Sequence, residues 1–217
     1  MLDALIISDI HLGSRACRAR ELLDLLGTVQ AGEIILNGDT FDSIDFRNWP
    51  DDHWQVLFAL RSLGDRVVFV AGNHELDTRS MELLTGFDWW GEEYVFCSGG
   101  KKILCLHGHE YDGFLAQHPW LSWIGDQIYG ALQWLDRSCG LARRAKLQSK
   151  EFISCASKVK AGAKLTAREY GFDIVCCGHT HLAEASHPYY NSGCWTESPG
   201  TYLAVKDGVV ELREHRA

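Results

Sequence analysis

The chain has 217 residues, 46% of them hydrophobic, and a formal net charge of −8. That is enough apolar material for one buried core, and no Pro-rich, Gly/Ser-rich, repeated or low-complexity tract marks a linker, so one domain over residues 1–217 is expected. No apolar run reaches the roughly 18 residues of a membrane span, and the acidic balance without a recognised binding module disfavours long nucleic acid as a partner.

Met1-Leu2-Asp3 leads directly into a predicted strand, which leaves no room for a signal peptide and predicts a cytoplasmic chain. The eight cysteines mostly sit within apolar strands and helices and lack paired metal spacing, so they read as reduced packing residues. The first apolar run, Ala4 to Ser8, ends in Asp9-Ile10-His11. Ile34 to Leu36 leads into Asn37-Gly38-Asp39, with Asp42 closing a Gly-Asp-x-x-Asp pattern. Val67 to Ala71 precedes Gly72-Asn73-His74-Glu75, Ile103 to Leu106 precedes His107-Gly108-His109, and Ile174 to Cys177 precedes Gly178-His179-Thr180-His181. Each run is short, continuous and bounded by Gly or Asn, which predicts a strand buried on both faces; a half-exposed strand would alternate. Open α/β sheets place their sites just beyond the carboxyl ends of such strands, so five strands are expected to deliver these side chains to one edge.

The side chains so delivered are metal ligands by type. Asp9, His11 and His181 suit one cation and Asn73, His107 and His179 another, with Asp39 as the carboxylate touching both at a separation of about 3.5–4 Å. Mixed oxygen and imidazole ligation without cysteine predicts two divalent ions, manganese first, with iron(II), zinc or cobalt also suited to it. A water bridging them would be hydroxide near neutral pH. Any single histidine of the ten is more often a satisfied core or surface residue. The joint arrangement after five successive strands turns the reading towards a metal site. His74, beside a ligand, points into the same pocket and is expected to act as a general acid, a contribution of roughly 10²- to 10⁴-fold; its bland alternative is a hydrogen-bond donor that transfers no proton. His109 is read as an auxiliary ligand, a phosphate contact or an outer partner.

About 60 residues, Tyr111 to Gly171, separate the fourth motif from the fifth strand, where a crossover needs roughly a dozen. Leu121, Ile124, Ile128, Leu132 and Leu135 recur at helical spacing beside Trp120, Trp123 and Trp134, which predicts a helical lid inserted over 111–171. Its second apolar face would meet a ligand, a partner or a bilayer; a thick core helix is the alternative. From Arg137 to Tyr170 nine basic side chains face two acidic ones, an excess that would draw an anionic substrate or lipid headgroups, unless it is simply a solvated helix face. Trp120, Trp123, Arg137, Arg143 and Arg144, with His109, are therefore the expected substrate contacts.

The motifs, in this order from Leu5 to about Glu197, resemble the calcineurin-like metallophosphoesterase superfamily. The resemblance implies a four-layer α/β/β/α sandwich of two mixed sheets and phosphoester hydrolysis by a metal-bridging hydroxide. It assigns Asp9, His11, Asp39 and His181 to the first metal and Asp39, Asn73, His107 and His179 to the second. It gives His74 the contact to the scissile phosphate and proton donation to the leaving oxygen, with Asp42 orienting it. Within the superfamily, Tyr111-Asp112-Gly113-Phe114, His118-Pro119-Trp120-Leu121, Gly125-Asp126, Tyr129 and the segment Asn191 to Glu197 resemble the UDP-2,3-diacylglucosamine pyrophosphatase-like group of lipid A synthesis. That likeness implies a nucleotide-linked lipid substrate, cleaved to UMP and an acylated sugar 1-phosphate, and peripheral attachment to the inner face of the inner membrane. His74 stands where the best-known members carry Arg, Leu182-Ala183 where Arg-Pro is frequent, and Cys194 where Asp is expected. A phosphodiesterase or phosphatase acting on a soluble nucleotide or small phosphoester is therefore the other reading. A non-catalytic scaffold on the same fold, like the retromer subunit that resembles these enzymes, is a third.

Overall fold

The computed structural model describes residues 1–42, 45–75, 85–86, 90–112 and 149–216. Along the chain, β1 (Leu2–Ile7), α1 (Ala19–Thr28), β2 (Ala31–Asn37), α2 (Asp51–Ser62) and β3 (Val67–Val70) alternate, followed by the short β4 (Trp90–Gly91). β5 (Glu93–Ser98) and β6 (Lys101–Leu106) pair as an antiparallel hairpin, and α3 (Lys150–Tyr170) leads to β7 (Ile174–Cys177). Then come β8 (Glu184–Ser186), β9 (Tyr189–Asn191), β10 (Gly200–Lys206) and β11 (Val209–His215). The strands make two mixed sheets, ordered β11-β10-β1-β2-β3-β4 and β5-β6-β7-β9-β8.

Alternation along each strand builds the layers, because successive side chains leave opposite faces. Ala4 and Ile6 of β1, Ile35 of β2 and Val68 and Val70 of β3 meet Ile103, Cys105, Ile174 and Cys176 of the second sheet. Their neighbours Leu5, Ile7, Leu36 and Phe69 face the other way, onto Leu22 and Leu25 of α1 and Val56, Leu57 and Leu60 of α2. The outer face of the second sheet, with Leu104, Leu106, Val175, Cys177 and Tyr189, is covered by Ala163 and Ala167 of α3. Helix, sheet, sheet and helix thus stack as the expected four-layer sandwich. Both faces of the inner strands are dry, so the apolar runs are continuous; each fully buried Leu, Ile or Val contributes about 1.5–3 kcal/mol. Cys176 and Cys177 point into different cores, as adjacent strand residues must.

α3 begins at Ser149, whose side chain accepts from the Phe152 N–H, and ends at Gly171 in the left-handed conformation. It accounts for the last part of the predicted insertion. The apolar stripe Leu121 to Leu135, its tryptophans and Arg137, Arg143 and Arg144 lie outside the described residues.

β1, β2 and β3 run parallel in one sheet and β6 and β7 in the other. Their carboxyl ends are held at one edge by the buried Asn37 side chain, whose Nδ2 donates to the carbonyls of Leu106 at 3.0 Å and Cys176 at 3.1 Å. A residue at the tip of β2 thereby pins two strands of the facing sheet.

Candidate metal centre

The strand tips share an unusual backbone. Asp9, His11, Asp39, His179 and His181 have φ between 52° and 66°, and among the described non-glycine residues only Asp207, in the β10–β11 turn, joins them at positive φ. Each such residue costs on the order of 1–3 kcal/mol unless its surroundings impose the conformation. Here they do: Asp9 N–H donates to the Gly38 carbonyl and His11 N–H to the Asp39 carbonyl, both at 3.0 Å, and the Asp9 carbonyl accepts from Trp195 N–H at 3.0 Å. Two glycines are required by close approach. A Cβ on Gly38 would fall 2.1 Å from His107 Nδ1, and one on Gly72 would fall 2.2 Å from Asp39 Oδ1.

The side chains converge on the Asp39 carboxylate. Its Oδ2 lies 3.3 Å from His107 Nε2, 3.8 Å from His11 Nε2 and 4.0 Å from His74 Nε2. On one flank His181 Nε2 is 3.1 Å from Asp9 Oδ1 and 3.3 Å from His11 Nε2. On the other, His179 Nδ1 is 3.1 Å from Asn73 Oδ1. All seven expected ligands are thus brought to one place.

Donor chemistry favours cations here. His107 donates from Nδ1 to the Asn37 carbonyl at 3.0 Å, so its Nε2 faces the Asp39 carboxylate, where it carries a proton or, once that is lost, a lone pair for a cation. His11 Nδ1 faces the Asp42 carboxylate at 3.4 Å, leaving its Nε2 turned towards His181. Asp9 Oδ1 and His107 Nε2 are buried without a well-formed hydrogen bond among the described residues, although His181 Nε2 and Asp39 Oδ2 respectively stand within 3.3 Å of them. Neighbouring ligands on one divalent ion, at about 2.0–2.2 Å from it, stand roughly 3–3.5 Å apart, so the spacing fits a pair of ions. Asp9, His11 and His181, and Asp9, Asp39 and His107, each form a group able to hold one.

The electrostatics carry the same imprint. For His107, burial works against protonation, yet the Asp39 carboxylate outweighs it and pushes the pKa up to about 10. Burial would raise Asp9, but His181 beside it brings the carboxyl down to about 2. Asp39 is held well below the usual carboxylate range, His107 and His11 overcoming the cost of burial. Protons on the imidazoles here do the work a cation would do.

His74 is the most exposed of the group, and its ring stands edge-on to His11 with centroids 4.9 Å apart. Its Nδ1 lies 3.0 Å from the main-chain carbonyl of Asp42. The Asp42 carboxylate, expected to orient His74, faces His11 instead. The reason is the parallel bridge between Leu12 and Phe41, which bonds the Asp42 N–H to the Leu12 carbonyl, while the Asp42 carbonyl faces His74. His109 packs its ring near His107 and His179, with centroids 5.6 and 6.3 Å away. Trp120, Trp123, Arg137, Arg143 and Arg144 lie outside the described residues.

Sequence reasoning missed Glu75. Its buried carboxylate accepts the N–H groups of Asp39, Gly72 and Phe41 at 2.9, 2.8 and 2.9 Å, tying the tips of β2 and β3 together. An acidic residue directly after Asn73-His74 was the available signal. Ser8 was missed too: its hydroxyl donates to the Asp9 carboxylate and lies 2.6 Å from Ser192 Oγ.

Several solved structures share this fold. An archaeal phosphodiesterase aligns over 97% of each chain with a TM-score of 0.55 at 13% identity. YfcE, a phosphoesterase from E. coli, aligns over 98% of this chain and 99% of its own with a TM-score of 0.51 at 15% identity. Vps29 complexed with zinc from Entamoeba histolytica covers 99% of this chain and 98% of its own, with a TM-score of 0.50 at 17% identity. At such identities the likeness is one of fold. No curated protein matches the chain significantly. The sequence itself carries the assignment, since residues 2–183, which span all five ligand motifs, match the family described as calcineurin-like phosphoesterase: this chain belongs to that family.

Proposed function

We propose that the chain is a phosphoester hydrolase working with two divalent cations, one held by Asp9, His11, Asp39 and His181 and the other by Asp39, Asn73, His107 and His179. The observation that carries the reading is the convergence of imidazole nitrogens on Asp39, with Asp9 Oδ1 and His107 Nε2 buried beside them without a well-formed hydrogen bond among the described residues. When bound, the cations supply neutralisation of the phosphoryl oxygens and a nucleophile from water at neutral pH. The protein supplies the rest. The Asn37 and Asp42 contacts hold His107 and His11 with their inner nitrogens towards the site. The Asp42 carbonyl takes the Nδ1–H of His74 and turns Nε2 to where it can give a proton to a leaving oxygen.

For the substrate we propose a UDP-linked acylated sugar, UDP-2,3-diacylglucosamine being the reference compound, cleaved at its diphosphate to UMP and the acylated sugar 1-phosphate. Support comes from the sequence around Tyr111 and Asn191 and from the excess of basic side chains over Arg137 to Tyr170, of which Lys158 and Arg168 are exposed on α3. Peripheral contact with the inner face of the inner membrane follows from such a substrate; no helix among the described residues is long and apolar enough to cross a membrane. The test is a product assay with manganese on UDP-2,3-diacylglucosamine beside a panel of soluble nucleotides and diesters. UMP released from the lipid alone is the expected result. Turnover confined to the soluble panel would transfer the reading to a soluble phosphodiesterase, and metal uptake without any turnover would favour a scaffold.

A further inference from the structure

Asp112 and Cys155 stand outside the ligand set, yet they join it to α3. The Asp112 carboxylate is only 2% exposed. Its Oδ2 lies 3.3 Å from His179 Nε2 and accepts the Cys155 thiol at 2.9 Å. Across the same imidazole, Nδ1 is 3.1 Å from Asn73 Oδ1. A carboxylate can only accept, so it draws the ring proton to Nε2 and leaves Nδ1 as a lone pair. That lone pair then faces the oxygen of Asn73. Two acceptors at this distance repel unless a proton or a cation stands between them.

We propose that Asp112 is a positioning residue for the second cation. It fixes the tautomer and plane of the His179 ring, so that Nδ1 and Asn73 Oδ1 are presented to one ion. The inference rests on the two-cation reading above and concerns only how one ligand is held.

Asp112 is itself held by α3. The preceding turn, His109–Tyr111, lays the Tyr111 ring on Gly162, where a Cβ would fall 2.4 Å from ring carbon Cδ1. The Tyr111 hydroxyl lies 2.7 Å from Thr166 Oγ1, and the Asp112 N–H donates to the His109 carbonyl at 3.0 Å. With the Cys155 thiol, three positions on one helix face therefore fix a single carboxylate. The ligands His107 and His11 are oriented differently, through the Asn37 carbonyl and Asp42, neither of which involves α3. The two cation sites should thus differ in their dependence on this helix: the second leans on it through Asp112, and the first does not.

The experiment titrates chelator-treated protein with Mn²⁺, followed by calorimetry and by the electron paramagnetic resonance of the coupled ion pair. Asp112→Ala is expected to weaken one of the two binding steps by roughly 10- to 100-fold and to replace the coupled signal with that of a single ion. The other step should be unchanged. Asp112→Asn keeps an oxygen able to accept from Nε2–H and should recover most of the lost affinity. In the ion-free protein, ¹⁵N shifts should show His179 protonated at Nε2 in the wild type and averaging between tautomers in Asp112→Ala. The Asn variant and the tautomer readout decide the matter if the Ala variant folds poorly. An unchanged two-step isotherm in Asp112→Ala would overturn the proposal, as would equal weakening of both steps, which marks a general loss of fold. Should wild-type protein take up no Mn²⁺, the two-cation reading fails and this assignment with it.

Discussion

At the scale of single residues, His74 separates holding a cation from using it. It contacts Asp42 through a main-chain carbonyl, and its Nε2 approaches the shared carboxylate no closer than 4.0 Å. His74→Ala is therefore expected to keep both cations while losing roughly 10²- to 10⁴-fold in turnover of a diester with a poor leaving group. Metal content beside initial rates checks this, and an unchanged rate would remove the proton-donating role. The buried charges make a second prediction. His107, raised to about 10 because Asp39 outweighs burial, stabilises the ion-free fold fully below about pH 6.5, and that contribution is lost as pH rises through 10. Asp9, lowered to about 2 by His181 against the effect of burial, contributes above about pH 3.8 and ceases to do so as pH falls through 2. Ion-free protein should therefore be most stable between about pH 4 and 6.5 and decline on the alkaline side. Cation loading, which displaces the His107 proton, should flatten that decline and release protons at neutral pH. Melting curves of chelated and loaded protein across pH test both statements; parallel curves would contradict them.

At the scale of elements, the tips of β2 and β3 are one unit because Glu75 binds both. Its two oxygens take three main-chain donors, which no neutral side chain of that size can match. Glu75→Gln would set an amide N–H₂ against at least one of those N–H groups, a cost of about 1–3 kcal/mol. Denaturant unfolding of the chelated variant should show that loss before any cation is added, and a midpoint equal to wild type would refute the linkage. Glu75 also marks where the sequence stopped being legible. The strands and the side chains gathered at their tips could be read because burial on both faces writes continuous apolar runs, and because Asp, Asn and His follow each run directly. Asn37 and Glu75 serve as polar braces whose partners become neighbours only in the folded chain; Asn37 reaches Leu106 and Cys176. Asp42 could be read as near His74, but spacing does not say whether a carbonyl or a carboxylate will turn towards it. Of the expected insertion the final helix, capped by Ser149 and ended by Gly171, is described, whereas the apolar pattern Leu121 to Leu135 on which the expectation rested lies outside the described residues.

At the scale of the molecule, the site is a seam between the two sheets. Asp9, His11, Asp39 and Asn73 come from the tips of β1, β2 and β3, whereas His107, His179 and His181 follow β6 and β7. Each proposed cation thus takes ligands from both sheets, with Asp39 common to the two sets. Behind the seam, the sheets are joined by dry side chains such as Ile6, Ile35, Ile103 and Ile174, which have no directional bond to one another. Cation binding should therefore act as a cross-link at one edge of an interface otherwise held by burial and by a few polar ties such as those of Asn37 and Tyr94. Free cation at about 100 times its dissociation constant adds roughly 2.7 kcal/mol per site to the folded state. Amide hydrogen exchange in β1, β2, β6 and β7 should consequently slow together when Mn²⁺ is added, while α1 and α2, on the outer face of the first sheet, change less. Were protection to rise only in β1 and β2, the cations would belong to one sheet, and the facing histidines would be packing residues rather than ligands.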